Sequence, residues 1–329
     1  MQKIIHVAVA IIHFSEKYLL GYRNANQHQG ERYEFIGGKI ELNETPKQGL
    51  IREVCEEIGC DISANLIIKM GVIRHDYGDK SVALHCFKIE FTQSQFEQLQ
   101  GETGSEGQII TWVSKADLLT KNYPLPDANV RILDWLKLPD VIFISQSLQA
   151  FANEQNWVDF YKEKLPKNAF FYLRPQCTTN QYLNLLHQMN KLRSDITFLV
   201  KFFEIKHRVN EIENSNVIVH LTHQEIVHHD LQALPNPLKY FASCHDEQSI
   251  RGCDELAKTH SVMGCFLSPV LPTPTHPESE GIGWEKFAEL AQTSDVPVYG
   301  LGGLKQDNLK KIRKNNGFGI AGIRLLQDI

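Results

Sequence analysis

One stretch constrains this chain more than any other. It runs from Gly37 to Cys60 and reads GGKIELNETPKQGLIREVCEEIGC. Thr45 is a good helix N-cap, Pro46 suits the first helical position, Gln48 completes a Thr-x-x-Gln capping box, and Gly59 is a natural stop. Between them Leu50, Ile51, Val54 and Ile58 recur at helical spacing as one apolar stripe. Glu53, Glu56 and Glu57 stand at i, i+3 and i+4, so their carboxylates occupy neighbouring positions. Like charges at that spacing repel by roughly a few tenths of a kcal/mol per pair. A solvated acidic face is the bland alternative. Arg52 adjoins the cluster, however, and the loop Gly37-Gly38-Lys39 lets backbone approach a phosphate closely. That context favours a site for a hard cation, Mg²⁺ or Mn²⁺ in its place. Gly49, inside the helix, should cost up to about 1 kcal/mol against Ala; close packing of the helix on a sheet would account for it.

At 329 residues the chain is long enough for two domains. With 42% hydrophobic and 22% charged residues it reads as soluble and globular. A formal net charge of −5 gives no electrostatic case for gripping a nucleic-acid polymer, although it leaves open a nucleotide that arrives with its own cation. Seven cysteines, an odd number in no CxxC pattern, suggest reduced thiols and a cytoplasmic location. The opening MQKIIHVAVAIIHF carries His6 and His13 and reads as a strand rather than a signal peptide. No segment reaches transmembrane length free of charge, so no membrane partner is expected.

In the first half, strands are expected at Ile4–Phe14, Lys17–Tyr22, Tyr33–Ile36, Leu66–His75, Val82–Phe91 and Ile109–Val113. A short helix is expected from Asp127 to about Lys137, and Leu138-Pro139-Asp140 closes a domain spanning 1–138. From 139 to 329 short apolar strands alternate with helices. The strand candidates are Val141–Ser145, Ala169–Arg174, Ile196–Phe202, Val217–Leu221, Tyr240–Ser243, Val262–Leu267, Val296–Gly300 and Gly319–Ile323. Eight strands with crossover helices over this length predict a compact (β/α)₈ TIM barrel.

Counted from Gly38, the spacing of Glu44, Arg52-Glu53, Glu56-Glu57 and Gly59 matches the Nudix box, with Cys60 where an aliphatic residue is usual. The whole first half resembles the MutT-type Nudix hydrolases, which clear 8-oxo-dGTP from the nucleotide pool. YEFIGGKIELNETP is similar to that family's EFPGGKIE-GETP run, with Ile36 for Pro and Asn43 for Gly. The resemblance implies an α/β/α sandwich that hydrolyses a nucleoside triphosphate to the monophosphate and pyrophosphate. It implies Glu53 as general base with Arg52 orienting the cluster. Glu53, Glu56, Glu57, the Gly38 backbone and Glu106, from SEGQIITW, would be the metal set. Arg23, in GYRNAN, falls where the family contacts phosphate, and Asn129, in LPDAN, where it reads the purine edge. From the residues alone, Arg23 is equally a surface strand residue, Asn129 a helix N-cap, and Phe35 a core aromatic rather than a wall of the base pocket. Glu44 is expected to steady the loop–helix junction.

The second half resembles the thiamin phosphate synthase and TenI superfamily through VHLT (Val219–Thr222), ASCHD (Ala242–Asp246), SPVLPTPTHP (Ser268–Pro277), YGLGGL (Tyr299–Leu304) and GIAGIRLL (Gly319–Leu326). The resemblance implies a phosphate site at Gly302-Gly303, a pyrophosphate-binding Arg174, and at His245 the functional histidine of thiazole tautomerases. His223, His228 and His229 are taken as surface residues. Three departures argue against synthase chemistry. Lys206-His207-Arg208-Val209 stands where the synthases carry Asn-Asp, no acid follows the VHL strand before Glu225, and Thr273-Pro274-Thr275-His276 replaces Thr-Lys-Thr-Lys. The implied barrel binds a thiazole phosphate without condensing it. Two alternatives remain: the first half could remove an oxidised or faulty thiamin diphosphate, or the barrel could be a regulatory binding module.

Overall fold

In the computed structural model the apolar opening of the chain is strand β1 (Ile4–Phe14), and the first sheet is built around it. It pairs antiparallel with β2 (Lys17–Tyr22) and β4 (Ile36–Lys39), and parallel with β6 (Ser81–Glu90). β3 (Tyr33–Glu34), β5 (Ile67–Asp76) and β7 (Ile110–Ser114) complete the mixed sheet on β2 and β6. Side chains alternate along a strand. Accordingly Ala8, Ala10 and Ile12 share a core with Leu50, Val54 and Ile58 of helix α1 (Pro46–Ile58). Val9 and Ile11, of opposite parity, are buried as well, so β1 is covered on both faces. Helices α2 (Gln93–Gln98), α3 (Lys115–Leu119) and α4 (Val130–Trp135) follow, α4 entered through a 3₁₀ turn at Asp127–Asn129. The expected strand Tyr33–Ile36 is split at Phe35, because β3 pairs with β2 whereas β4 crosses to β1.

The structure describes residues 4–326 apart from 24–29, 102, 121, 207–215 and 274–279. The sequence features at Asn24–Asn26, His207–Val209 and Pro274–His276 therefore lie outside the described residues. The chain divides into two units, Met1–Lys137 and Leu138–Ile329.

The second unit is a closed barrel of eight parallel strands. They are β8 (Val141–Ile144), β9 (Phe170–Tyr172), β10 (Thr197–Lys201), β11 (Val217–Leu221), β12 (Lys239–Cys244), β13 (Ser261–Leu267), β14 (Val298–Leu301) and β15 (Gly319–Gly322). Closure is made by β15 pairing with β8. Between strands run α5 (Glu154–Lys164), α6 (Thr179–Leu192), α7 (Phe202–Ile205), α8 (His223–His228), α9 (Glu247–Ala257), α10 (Gly283–Thr293) and α11 (Leu309–Lys314). Thr178, Thr222 and Asp246 form capping boxes at α6, α8 and α9, and the last two helices begin a few residues after β11 and β12 end.

Closure leaves no room for side chains at certain positions. A Cβ on Gly319 would lie 2.5 Å from the ring of Tyr299 and 2.6 Å from the Asp140 carbonyl oxygen. Tyr299 is fully buried and its hydroxyl donates to the Pro139 carbonyl, so it has nowhere to retreat. Gly319→Ala should destabilise the barrel by about 1–3 kcal/mol through overpacking. The check is the urea midpoint of the barrel transition; an unchanged midpoint would contradict this packing account.

Candidate active site

Helix α1 forms as its sequence dictates. Thr45 and Gln48 make the reciprocal capping box, Pro46 opens the helix, and Gly59 ends it in the left-handed conformation with φ 65°. Gly49 is explained by the preceding loop and not by the sheet: a Cβ there would lie 3.1 Å from Glu44 Oε2 and 3.4 Å from the Ile40 side chain. Glu44 cannot give way easily. It accepts the Glu41 N–H at 2.9 Å and two donors on one edge of the Arg52 guanidinium, Nε at 2.8 Å and Nη2 at 2.9 Å. Its carboxyl is pulled down to about 2, first by the hydrogen bonds from Arg52 and then by the Glu41 N–H.

Arg52 is the hub of the acidic cluster. Besides Glu44 it donates from Nη1 to Glu53 at 2.9 Å and Glu56 at 2.8 Å, and from Nη2 to the Lys39 carbonyl at 2.9 Å. Glu57 is held differently, accepting the Gly37 N–H at 3.2 Å. Gly38 packs directly on Glu53; a Cβ would sit 2.1 Å from its Oε2, so only glycine permits this approach. The loop carrying Glu106 is tied to the end of α1. Ser105 N–H and Gln108 Nε2 both donate to the Glu57 carbonyl, at 2.7 and 2.9 Å, and a Cβ on Gly104 would collide with that oxygen. Thus Glu106, distant in sequence and exposed, joins the electrostatic environment of Glu53 and Glu57.

The charge balance is negative. Burial raises the Glu57 carboxyl to about 8, and Glu34, Glu53 and Glu106 add to this against the Gly37 hydrogen bond. Glu53 is raised by burial and by Glu56 and Glu106, although Arg52 opposes. An all-oxygen donor set with surplus negative charge, set against a glycine that leaves backbone accessible, fits a hard divalent cation. Glu53 and Glu56 are also engaged by Arg52. Among the described residues the trio whose ligand atoms all lie within 4.8 Å of one another is instead Cys244, Cys253 and Cys265, fully buried in the barrel core. All seven cysteines are free thiols.

Arg23 forms an ion pair with Glu34, and its Nε is buried without a hydrogen-bond partner. Glu34 was not legible as a site residue; its place immediately before Phe35 was the available signal. Its carboxyl is raised by burial against the pull of Arg23. Phe35 is 3% exposed. Asn129 is 8% exposed and makes no capping hydrogen bond. Beside it the Ala128 N–H donates to the Tyr77 hydroxyl at 3.3 Å, which brings in a second residue that sequence reasoning missed. Tyr33 stacks edge-on to Tyr22 and Tyr123, with centroids 5.1 and 4.9 Å apart.

In the barrel, Arg174 follows β9 and its N–H donates to Ser145 Oγ at 2.7 Å. His220, within β11, lies 2.9 Å from both the Tyr172 hydroxyl and Ser243 Oγ. Burial, with Arg174 and Lys201 nearby, pulls it down to about 3, so it is neutral. Gly302 and Gly303 follow β14 with φ 101° and 65°; a Cβ on either would strike Pro269 or the Pro272 carbonyl. His223 is not a simple surface residue: its side chain is 30% exposed and its ring centroid lies 5.0 Å from that of His245.

The fold and the acidic helix define a pyrophosphohydrolase of Nudix architecture joined to a parallel barrel. Residues 7–135 match the NUDIX domain model and residues 176–326 the thiamine monophosphate synthase model. The chain is 31% identical over 137 residues to the 8-oxo-dGTP diphosphatase of Escherichia coli K12, covering 41% of this chain and 98% of that protein. It is 29% identical over 132 residues to the CTP pyrophosphohydrolase of the same organism, covering 40% of this chain and 90% of that protein. A 59-residue stretch is 41% identical to an Aquifex aeolicus protein provisionally named thiamine-phosphate synthase 2, covering 18% of this chain and 32% of that protein. The chain belongs to the Nudix hydrolase family. Its first half is a MutT-type pyrophosphohydrolase domain, and its second half is a thiamine phosphate synthase/TenI-type domain. No helix among the described residues is long and apolar enough to cross a membrane.

The raised Glu57 carboxyl carries a stability consequence. It titrates near 8 when folded against 4.5 ordinarily. The folded chain therefore holds this proton more tightly, and the associated stability is full below 4.5 and lost as pH rises through 8. Without added metal, the first unit should become less stable between about pH 5 and 8.5. Glu57→Gln should flatten that slope and raise the melting temperature by a few degrees, roughly, at the alkaline end. An unaltered slope in differential scanning calorimetry would contradict the assignment.

Proposed function

We propose that the first half hydrolyses 8-oxo-dGTP to 8-oxo-dGMP and pyrophosphate and depends on Mg²⁺, with Mn²⁺ as a substitute. The observation that carries this is the arrangement of Glu53 and Glu57 against the Gly37-Gly38 loop, with Arg52 between Glu44, Glu53 and Glu56. Glu53, Glu56, Glu57, Glu106 and the Gly38 carbonyl would hold the cation, which would supply positive charge to offset that of the phosphates. Glu53 accepts the proton of the attacking water, a role helped by its raised affinity for protons. Arg52 keeps Glu53 and Glu56 oriented, while Glu44, fully engaged by Arg52, fixes the arginine. Arg23, with its unpartnered Nε, is suited to a phosphate oxygen. Phe35 and Asn129 bound the base, and the uncapped Asn129 amide is available to pair with the purine edge. The nucleotide is the small-molecule partner, with no nucleic-acid polymer involved, and the setting is cytoplasmic.

The name of the CTP-hydrolysing relative makes CTP a necessary arm of the test. With Mg²⁺ present, 8-oxo-dGTP should be hydrolysed with a higher kcat/KM than dGTP, CTP or thiamin diphosphate derivatives. Preference for oxidised thiamin diphosphate would favour the alternative reading. Glu53→Gln should lower kcat by about 100-fold or more while preserving the fold. Asn129→Ala should erode the preference for oxidised guanine more than it lowers stability.

For the barrel we propose phosphate-ester binding at Gly302-Gly303 and Arg174, with a thiazole phosphate as ligand and no thiamin phosphate synthesis. Thr222 and His223 follow β11 with no acid before Glu225, and Glu225 is engaged in capping α8, accepting from Thr222 at 2.7 and 2.8 Å. Tautomerisation at His245 is the barrel chemistry this arrangement supports; a purely regulatory barrel would bind the ester without turnover. The full chain mixed with the pyrimidine diphosphate, the thiazole phosphate and Mg²⁺ should form no thiamin phosphate above the uncatalysed rate. Catalytic formation would refute this reading.

A further inference from the structure

Three cysteines meet in the layer between the barrel strands and α9. Cys244 is the last residue of β12, Cys265 lies within β13, and Cys253 lies within α9. Ala242 pairs with Cys265 across the parallel strands, so Cys244, two residues on, shares its face of the sheet. On α9 the buried positions Ile250, Cys253 and Leu256 fall at helical spacing, which turns Cys253 toward the same layer. All three side chains are fully buried, and their sulfurs lie within 4.8 Å of one another. Cys244 Sγ also reaches the Ser249 carbonyl oxygen at 3.4 Å, a weak contact for a thiol. A metal–thiolate bond of about 2.3 Å places three sulfurs around one atom at most about 4 Å apart. Reaching that spacing needs only a sub-ångström shift of the sulfurs.

The donor set decides what such a site can hold. Three soft thiols with no histidine or carboxylate among them suit a thiophilic element and not Mg²⁺. Structural zinc takes four ligands, and catalytic zinc adds a water, which fully buried sulfurs do not admit. Charge separates the remaining choices. Three thiolates leave two negative charges around Cu⁺ and one around a divalent ion. An uncompensated charge in an apolar interior is costly, and Asp254, a charged neighbour acting on Cys244, is itself negative. A trivalent centre makes the complex neutral.

We infer that Cys244, Cys253 and Cys265 form a binding site for a trivalent thiophilic element, taken up as a neutral hydroxide such as arsenite. Buried thiols in apolar surroundings keep their protons. Each sulfur bonds to arsenic as one As–O bond breaks, and the hydroxide leaves with the thiol proton as water. Three S–H and three As–O bonds are exchanged for three As–S and three O–H bonds. Arsenic stays trivalent throughout, and no oxidant is consumed. The product ties α9 to β12 and β13. Entry requires α9 to lift locally, so uptake follows an opening of that helix. Neither the nucleotide nor the phosphate ester takes part.

The test adds arsenite to the reduced full chain and follows native mass spectrometry, arsenic X-ray absorption and hydrogen exchange. Expected are one arsenic per chain with the loss of three hydrogens, three sulfur neighbours, and slower exchange in α9, β12 and β13. Cys244→Ala, Cys253→Ala and Cys265→Ala should each weaken binding by about 100-fold, because the third bond is lost from a preassembled set. Cys55→Ser, at an exposed thiol of the first unit, should bind as the unaltered chain does. No arsenic taken up, two sulfur neighbours instead of three, undiminished binding in the alanine variants, or loss of binding in Cys55→Ser would overturn the assignment. So would tighter retention of Zn²⁺ or Cu⁺ than of arsenite, since neutrality would then not be what selects the ligand. Should an alanine variant unfold, hydrogen exchange on the unaltered chain still decides. Slowing confined to the first unit, or none at all, would overturn the site.

Discussion

The first unit depends on how one guanidinium is shared. Arg52 reaches Glu44, Glu53, Glu56 and the Lys39 carbonyl at once, so it joins the glycine loop to α1 while balancing part of the acidic charge. The consequences spread outward from it. Because Glu44 is pinned, a Cβ at Gly49 would press on it at 3.1 Å, and α1 lies close over Ile40. Because Arg52 serves Glu53 and Glu56, Glu57 is left to the Gly37 N–H, and its burial then pushes its proton affinity up. One cation among several carboxylates leaves a net negative site, which is what a divalent metal requires.

The barrel is organised by a different economy. Its rim collects Arg174, His223, His245, Ser268, Gly302 and Gly303 after five different strands, the usual place for chemistry in such a fold. Inside, a neutral His220 bridges Tyr172 and Ser243, which satisfies its polar atoms without placing a charge in the interior. Glycines at closely packed positions let strands and loops approach where any Cβ would collide.

Much of this was legible in the sequence, because it is governed by local rules. The helix over Pro46–Ile58 follows from its cap, its proline and its glycine stop. All eight barrel strands lie within a residue or two of the expected spans, since short runs of apolar residues punctuated by capping residues leave little freedom. The spacing of Arg52, Glu53, Glu56 and Glu57 already specified an acidic site. Phe35 was less legible: a run that looked continuous is divided between two strand partners, and pairing is decided across the sheet.

Other features belong to tertiary structure alone. No local pattern ties Glu106 to α1; that link is made by Ser105 and Gln108 meeting the Glu57 carbonyl. Glu34 acquires its significance from Arg23, on the strand beside it, and Tyr77 from Ala128. His223 read as a surface histidine because its neighbour, His245, is supplied by the next strand of the barrel. Sequence by itself determined which segments become helices and strands and which residue types could hold a cation, because capping and periodicity act over a few residues. Only the tertiary structure decided which carboxylates share a field and which histidines face each other, because electrostatic and hydrogen-bond partners are chosen by distance in space.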